Sequence, residues 1–156
     1  MPNWKQYSLD GVFSIALPPS TEAIVEDDDS MFVLTPPGEH ATDILVGLFP
    51  LEAGIKVSDE VLKSHLSDFI DRCVRGVATV RDYCVEPAAD NDDPKLCVWQ
   101  AIVAIEDDRF WLVRLYGWRE GSQQLLVHWT GPKRQLQEVV IKAFVTLEPL
   151  FPADCE

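Results

Sequence analysis

The feature that most constrains this chain is an aromatic run at residues 97–130, which reads CVWQAIVAIEDDRFWLVRLYGWREGSQQLLVHWT. Apolar residues fill three successive lengths of it, and the only breaks are at residues 106–108 and 119–121. Breaks this short cannot contain a crossover helix, so the three lengths are predicted to be antiparallel neighbours in a meander. The run also holds four of the five tryptophans: Trp99, Trp111, Trp118 and Trp129.

Both sides of the middle length, residues 110–118, are apolar. Strand alternation points Trp111, Val113 and Leu115 one way. It points Phe110, Leu112, Tyr116 and Trp118 the other way. A sheet of this kind needs cover on both faces, either from helices on each or from one helix and a partner surface.

Two helices and several further strands are predicted around the meander. Ser58 is a good N-cap, and the apolar residues after it recur at helical spacing: Leu62, Leu66, Phe69, Ile70 and Cys73. A second amphipathic pattern follows Pro132. Further strands are predicted at residues 4–7, 11–17, 31–34, 43–49, 79–86 and 95–105. We therefore predict one α+β domain over residues 1–156, with an antiparallel sheet of six or seven strands flanked by two main helices.

Charge narrows the possible partners. Thirteen basic residues against 26 acidic ones give a formal net charge of −13. Such a surface repels phosphate backbones and anionic lipids, so nucleic acid and membrane surfaces are not expected partners. The opening MPNWKQYSLDG has no signal-peptide pattern, and no apolar stretch has the length of a membrane helix. A cytoplasmic location is the expectation.

Metal and cofactor sites are not predicted. Acidic clusters at residues 26–29 and 90–93 suggest calcium, because hard cations bind carboxylate oxygens. Neither cluster has the spacing of an EF-hand, and both fall where strands turn, where polar residues are common. The four cysteines form no CxxC pair and have no zinc-type spacing with the three histidines.

The cysteines are expected to be free thiols. Cys73, Cys84 and Cys97 are predicted to be buried, and Cys155 to be exposed in an acidic tail. If the loop at residues 90–91 is the centre of a symmetric hairpin, Cys84 and Cys97 face each other at a spacing that allows a disulfide. The cytosolic interpretation favours two reduced, buried thiols instead.

Nothing in the sequence predicts catalysis. It contains no GxSxG elbow, no HExxH pair and no glycine-rich phosphate loop. His40, His65 and His128 fall on three different predicted elements. An enzyme would need a site assembled from scattered residues such as His128, Arg114 and Asp108. We therefore predict a non-enzymatic protein with no catalytic residues.

Arg114 is the unusual residue of the meander, because a charge in the middle of an apolar strand is costly unless it is paired or stacked. In one interpretation its stem packs and its guanidinium reaches a carboxylate at the sheet edge. In the other, Arg114 is a polar anchor in an aromatic binding surface with Trp99, Tyr116 and Trp118, since arginine and aromatics dominate interface hot spots.

The layout resembles the PsbP-like family. The resemblance is carried by Tyr7 and the segment GVFSIALPP at residues 11–19, by one helix after the strand DILVGLF, by the long meander, and by a closing helix that ends in LEPL at residues 147–150. That family includes a photosystem oxygen-evolving subunit, a Ran-binding nuclear import factor and several bacterial families, one of them cytosolic chaperones for secreted toxins. The resemblance implies an adaptor or binding role and no shared catalytic set.

Three classes of function follow. The first is a non-catalytic protein-binding adaptor or chaperone-like module of a bacterial type of cytosol, possible also as a homodimer. The second is a small acidic immunity or inhibitor protein that covers a basic surface of its partner. The third is an enzyme whose site the sequence does not reveal. The expected partner is another protein, one with a basic surface in the second case.

Overall fold

The computed structural model describes residues 3–26, 31–38 and 41–153. Within these ranges the chain forms ten strands and two long helices. The strands are β1 (Lys5–Leu9), β2 (Phe13–Leu17), β3 (Glu22–Glu26), β4 (Met31–Thr35), β5 (Ile44–Pro50), β6 (Val80–Pro87), β7 (Leu96–Ile105), β8 (Arg109–Trp118), β9 (Gln123–Pro132) and β10 (Glu148–Pro149). Cys155, His40 and most of the acidic cluster at residues 26–29 lie outside the described residues.

The first helix, α1, runs from residue 59 to residue 77 between β5 and β6. It is α-helical over Asp59–Phe69, π-helical over Ile70–Val74 and ends with the turn Arg75–Val77. The Ser58 hydroxyl oxygen caps it by accepting a hydrogen bond from the backbone N–H of Val61 at 3.2 Å. The second helix, α2, runs from residue 133 to residue 144 between β9 and β10, and it too has a π-helical centre.

Seven of the described strands form one antiparallel sheet in the order β3-β4-β5-β9-β8-β7-β6. Strands β6 to β9 pair consecutively, so the predicted meander is confirmed. The α+β class, the strand number and the two helices also match the prediction. A second sheet of three strands, β1-β2-β10, was not predicted, and neither was β3.

The two helices cover opposite faces of the large sheet. Helix α2 and the small sheet pack on the face that carries Leu112, Tyr116 and Trp129. Helix α1 packs on the other face, which carries Trp111, Val113 and Leu115. The predicted division of the β8 side chains is therefore confirmed, and each set lies in its own hydrophobic cluster.

The π-helical stretch of α1 explains why one predicted core residue is exposed. Leu62, Leu66 and Ile70 are fully buried at α-helical spacing. The wider turn after Ile70 brings Val74 into the core, whereas Cys73 faces solvent. The prediction of a buried Cys73 is therefore wrong.

Pro87 pairs with Trp99, so the β6–β7 hairpin is centred on residue 93 rather than on residues 90–91, and Cys84 and Cys97 do not face each other. Cys84 pairs with Ile102, and Cys97 pairs with Gly117 on β8. Within the loop, the Asn91 side chain donates to the Leu96 carbonyl at 2.8 Å. Cys97 is buried as predicted, but Cys84 lies exposed on the outermost strand.

Candidate functional site around Trp118

Arg114 is buried in a hydrogen-bond network in the interior of the α2 face. Its residue surface is only 5% exposed. The guanidinium makes two hydrogen bonds to Asp90, from Nη2 to Oδ1 at 2.7 Å and from Nη1 to Oδ2 at 3.1 Å. Nε donates to Gln100 Oε1 at 2.9 Å, and Nη1 also donates to the Tyr116 hydroxyl at 3.1 Å. The guanidinium thus reaches a carboxylate, as the structural interpretation predicts.

The network connects three elements of the fold. Gln100 lies directly opposite Arg114 on β7, and Asp90 belongs to the β6–β7 loop. Arg114 also donates to the carbonyl of Phe144, the last residue of α2, at 3.3 Å. A cation at a helix C-terminus is favourable, because the unpaired carbonyls there carry partial negative charge. Arg114 therefore holds the end of α2 and the loop against the sheet.

Tyr116 is buried beside Arg114, whereas Trp99 lies on the opposite face of the sheet. Tyr116 is 3% exposed, and burial raises the pKa of its hydroxyl. Trp99 is next to Gln100 in sequence, so it points to the opposite, α1 face of the sheet. There its indole N–H donates to Asp59 Oδ1 at 2.9 Å, and this bond holds the pKa of Asp59 below its usual value. The expectation that Trp99 neighbours Arg114 is wrong.

Trp118 lines two neighbouring depressions, and Tyr116 lines one of them. It is the last residue of β8 and is partly buried against the α2-face cluster. Its indole N–H donates to the carbonyl of Phe151 at 2.7 Å, and the centroids of the two aromatic rings lie 6.3 Å apart. A hydrogen-bonded indole with fixed neighbours is a rigid wall, which favours recognition because little side-chain entropy is lost on binding.

An acidic depression of about 510 Å³ lies on one side of Trp118. The β6–β7 loop supplies Asp90, Asp92 and Asp93 to its lining, and β10 supplies Glu148. Asp93 Oδ1 accepts the Lys95 backbone N–H at 2.9 Å, and Asp90 is engaged with Arg114. The loop carboxylates are thus partly used to order the loop, and the exposed Asp92 and Glu148 remain to attract a cation.

An apolar depression of about 470 Å³ lies on the other side of Trp118. Its lining includes the apolar residues Pro94, Leu150 and Phe151 and the basic residues Lys95 and Arg119. Leu150 is 42% exposed, which is high for a leucine that lines a concave surface. The sequence analysis missed this depression; its only signal was an apolar Leu150-Phe151 pair outside both helices.

The histidines and Asp108 do not join Arg114 in a catalytic arrangement. His128 lies on the α1 face, where its Nδ1 accepts the Trp111 indole N–H at 3.3 Å and burial lowers its pKa to about 4. Asp108 is in the β7–β8 turn. His65, on α1, is hydrogen-bonded to Gln124 at 3.0 Å. The scattered residues named for an enzyme are therefore not brought together.

Two further findings concern the described residues as a whole. They contain no group of three or more His, Cys, Asp or Glu side chains placed to hold a metal ion. None of the helices formed by residues 3–26, 31–38 and 41–153 is long and apolar enough to cross a membrane.

Comparison with known proteins gives a match in structure only. No protein-family model and no curated protein sequence matches the chain. The solution structure of cyanobacterial PsbP (CyanoP) from Synechocystis sp. PCC 6803 is similar with a TM-score of 0.63 and 10% identity, over 96% of this chain and 94% of that one. A crystal structure from Bacteroides thetaiotaomicron has a TM-score of 0.48 and 16% identity. The match covers 99% of this chain and 50% of the Bacteroides chain.

The strand topology defines the fold class: an antiparallel sheet with a helix on each face, and a closing strand that pairs with the N-terminal hairpin. The similarity to cyanobacterial PsbP agrees with this class. The chain has a PsbP-like fold, and the resemblance stated from the sequence is confirmed at that level.

Proposed function

We propose that this chain is a non-catalytic protein-binding module that takes a basic segment with an apolar anchor in the cleft at Trp118. One observation carries the proposal. The indole of Trp118, fixed by its hydrogen bond to Phe151, is the shared wall of an acidic depression and an apolar depression. A segment with neighbouring basic and apolar side chains would fill both at once.

Physical chemistry supports this assignment of ligand. Apolar side chains bury best against a preformed concave wall, which Leu150, Phe151 and Trp118 supply. Carboxylates at the rim raise the association rate of a cationic segment and disfavour an anionic one. The net charge of −13 acts in the same direction at longer range. Arg114 contributes indirectly, because it holds the loop with Asp90 that forms the acidic side of the cleft.

The test is a titration with a short blocked peptide of alternating lysine and leucine, followed by the backbone and indole N–H resonances of the isotope-labelled chain. We expect shifts at Trp118, Leu150 and the β6–β7 loop. The same peptide with glutamate in place of lysine should produce no shifts, because the rim repels it.

A matched pair of variants locates the surface. Leu150→Lys places a charge in the apolar depression, and Ile55→Lys places one on the α1 side of the molecule; the two native residues are 42% and 40% exposed. We expect Leu150→Lys to weaken peptide binding at least about tenfold and Ile55→Lys to leave it unchanged. Equal effects of the two variants would refute the Trp118 cleft as the site.

The acidic inhibitor function remains a second candidate, favoured by the carboxylates at residues 90, 92, 93 and 148 along one depression. It differs from the first in its partner, which would be a folded basic surface rather than a linear segment. Asp92→Lys combined with Glu148→Lys would then abolish binding, whereas Leu150→Lys would leave it largely intact.

A further inference from the structure

Strand β3 is an edge strand that nothing in the described structure covers on either face. All five residues of Glu22–Glu26 are exposed, although each is paired with a residue of β4. Ile24 is 52% exposed and Val25 42%, and they point to opposite sides of the sheet. The outer backbone N–H and C=O groups of an edge strand are a template for another strand.

The opposite edge of the same sheet is blocked. Strand β6 has a register shift between Val80 and Asp82, two adjacent charged residues at positions 81 and 82, and Pro87 at its end. A bulge, charges and a terminal proline all prevent a further strand from pairing. β3 pairs with β4 in unbroken register and contains no proline. Of the two edges, β3 is the one that can accept a strand.

The two glutamates of β3 define which charged side chains an added strand must carry. Glu22, Ile24 and Glu26 are in register with Thr35, Val33 and Met31 of β4, so they share one side of the strand. Neither carboxylate forms an ion pair with another described residue. A strand added antiparallel and centred on Ile24 would place two of its residues opposite Glu22 and Glu26, four positions apart. Opposite charges there stabilise the pairing.

The same register disfavours a second copy of the chain as the added strand. In a symmetric pair of β3 strands, Glu22 of each copy would face Glu26 of the other. Like charges directly opposite each other destabilise a strand pair, and this pair has two such positions. The edge therefore repels itself and fits a basic strand.

We propose that the β3 edge receives an extended segment of another protein as an eighth strand of the large sheet, with Lys or Arg at two positions four residues apart and β-branched residues between them. Backbone hydrogen bonds would supply affinity, and the two glutamates would supply specificity. This surface is separate from the Trp118 cleft, because β3 and β8 are four strands apart in the sheet order.

The chain itself provides the probe. In the double variant Glu22→Lys plus Glu26→Lys, β3 becomes the basic strand that the proposal requires. We expect wild type alone and the variant alone to be monomeric by sedimentation at millimolar concentration, and an equimolar mixture to form a heterodimer. Hydrogen exchange of the amides of residues 22–26 should slow in the mixture, because their outer N–H groups become bonded.

The matched control changes the charge by the same amount elsewhere. Glu52→Lys plus Asp68→Lys alters two exposed carboxylates, one in the segment before α1 and one on α1. Mixed with wild type, it should remain monomeric. The proposal is overturned if the β3 variant and wild type do not associate, if the control associates equally well, or if a heterodimer forms without slower exchange in β3. Any of these results leaves the Trp118 cleft untouched, since its test uses other residues.

Discussion

Arg114 and Asp90 form a two-point ion pair, with Nη2–Oδ1 at 2.7 Å and Nη1–Oδ2 at 3.1 Å, in which the cation is buried and the anion is not. The Arg114 side chain is 6% exposed, whereas the Asp90 side chain is 36% exposed. Removing Asp90 and removing the charge of Arg114 should therefore destabilise the protein by different amounts. A carboxylate without its partner at the surface can be hydrated, but a guanidinium that loses Asp90 stays in the interior with only the neutral acceptors Gln100, Tyr116 and Phe144.

Removal of Asp90 should consequently destabilise the protein more than removal of the arginine charge. We expect Asp90→Ala to lower the free energy of unfolding by about 3 kcal/mol and Arg114→Met by about 1 kcal/mol. The double variant should be no less stable than Arg114→Met. Urea unfolding of the three variants measures this. A larger loss for Arg114→Met than for Asp90→Ala would contradict the argument.

Stability should depend on the protonation of His128. Burial lowers its pKa from 6.5 to about 4, so between these values the unfolded chain binds a proton that the folded chain does not. The stability that neutral, buried His128 contributes is fully present above pH 6.5 and is lost as the pH falls towards 4. The loss amounts to about 3 kcal/mol for a shift of this size. His128→Asn, whose Oδ1 can still accept the Trp111 indole N–H, serves as the control.

The difference between wild type and His128→Asn should therefore grow steadily as the pH is raised from 4 to 6.5, and level off above it. Carboxylates common to both proteins cancel in that difference. Parallel pH profiles would show that the pKa of His128 is not shifted by the fold.

Gly117 is required by close packing against the segment that leads into α1. A Cβ at this position would lie 2.8 Å from Val57 Cγ1 and 2.9 Å from Val57 Cγ2, and Val57 is fully buried. Val57 cannot move easily, because its N–H and C=O are bonded to the β8–β9 turn at Gly121 and Glu120. Gly117→Ala should cost about 1–3 kcal/mol.

A second substitution tests whether that cost comes from the clash. Val57→Ala removes both methyl groups and is itself destabilising, but combined with Gly117→Ala it should cost clearly less than the sum of the two single variants. Additive costs, measured by thermal or urea unfolding, would point to another cause.

The cysteines should differ sharply in reactivity. Burial, with the carboxylate of Asp59 as a second cause, raises the pKa of Cys97 to about 11, so its reactive thiolate is scarce at neutral pH. Cys73 and Cys84 are exposed. Iodoacetamide should modify these two in the native protein and Cys97 only after unfolding, as followed by peptide mass spectrometry. Native labelling of Cys97 at the rate of Cys84 would be inconsistent with its burial.

The elements predicted correctly are those whose pattern is local. Alternation of large side chains assigned both faces of β8, and Ser58 followed by helical periodicity located the start of α1. β3 was missed because all its residues are exposed, so its sequence EAIVE has no buried side to alternate with. β10 has two residues and exists only because β2 lies beside it.

The candidate site was predicted less well, because it depends on register and loop geometry. The face of Trp99 follows from its position beside Gln100, which pairs with Arg114, and sequence does not fix such a register. The carboxylate partner of Arg114 was anticipated, but its identity as Asp90 depends on the conformation of the β6–β7 loop, which the sequence pattern does not fix. Of the four residues proposed for partner binding, Trp118 lines both depressions, Tyr116 lines one, and Arg114 and Trp99 line neither.

Pairing of β10 with β2 has a consequence for biosynthesis. Phe13, Ile15 and Leu17 are fully buried, and the backbone N–H of Ala16 is bonded to Thr146 Oγ1, a residue 130 positions later. Until the residues between them have been made, β2 has neither β10 nor the Thr146 hydroxyl as a neighbour, although Phe13 can already pack against Phe32. The small sheet therefore joins the two ends of the described fold, and its third strand cannot pair until residues 148–149 have left the ribosome.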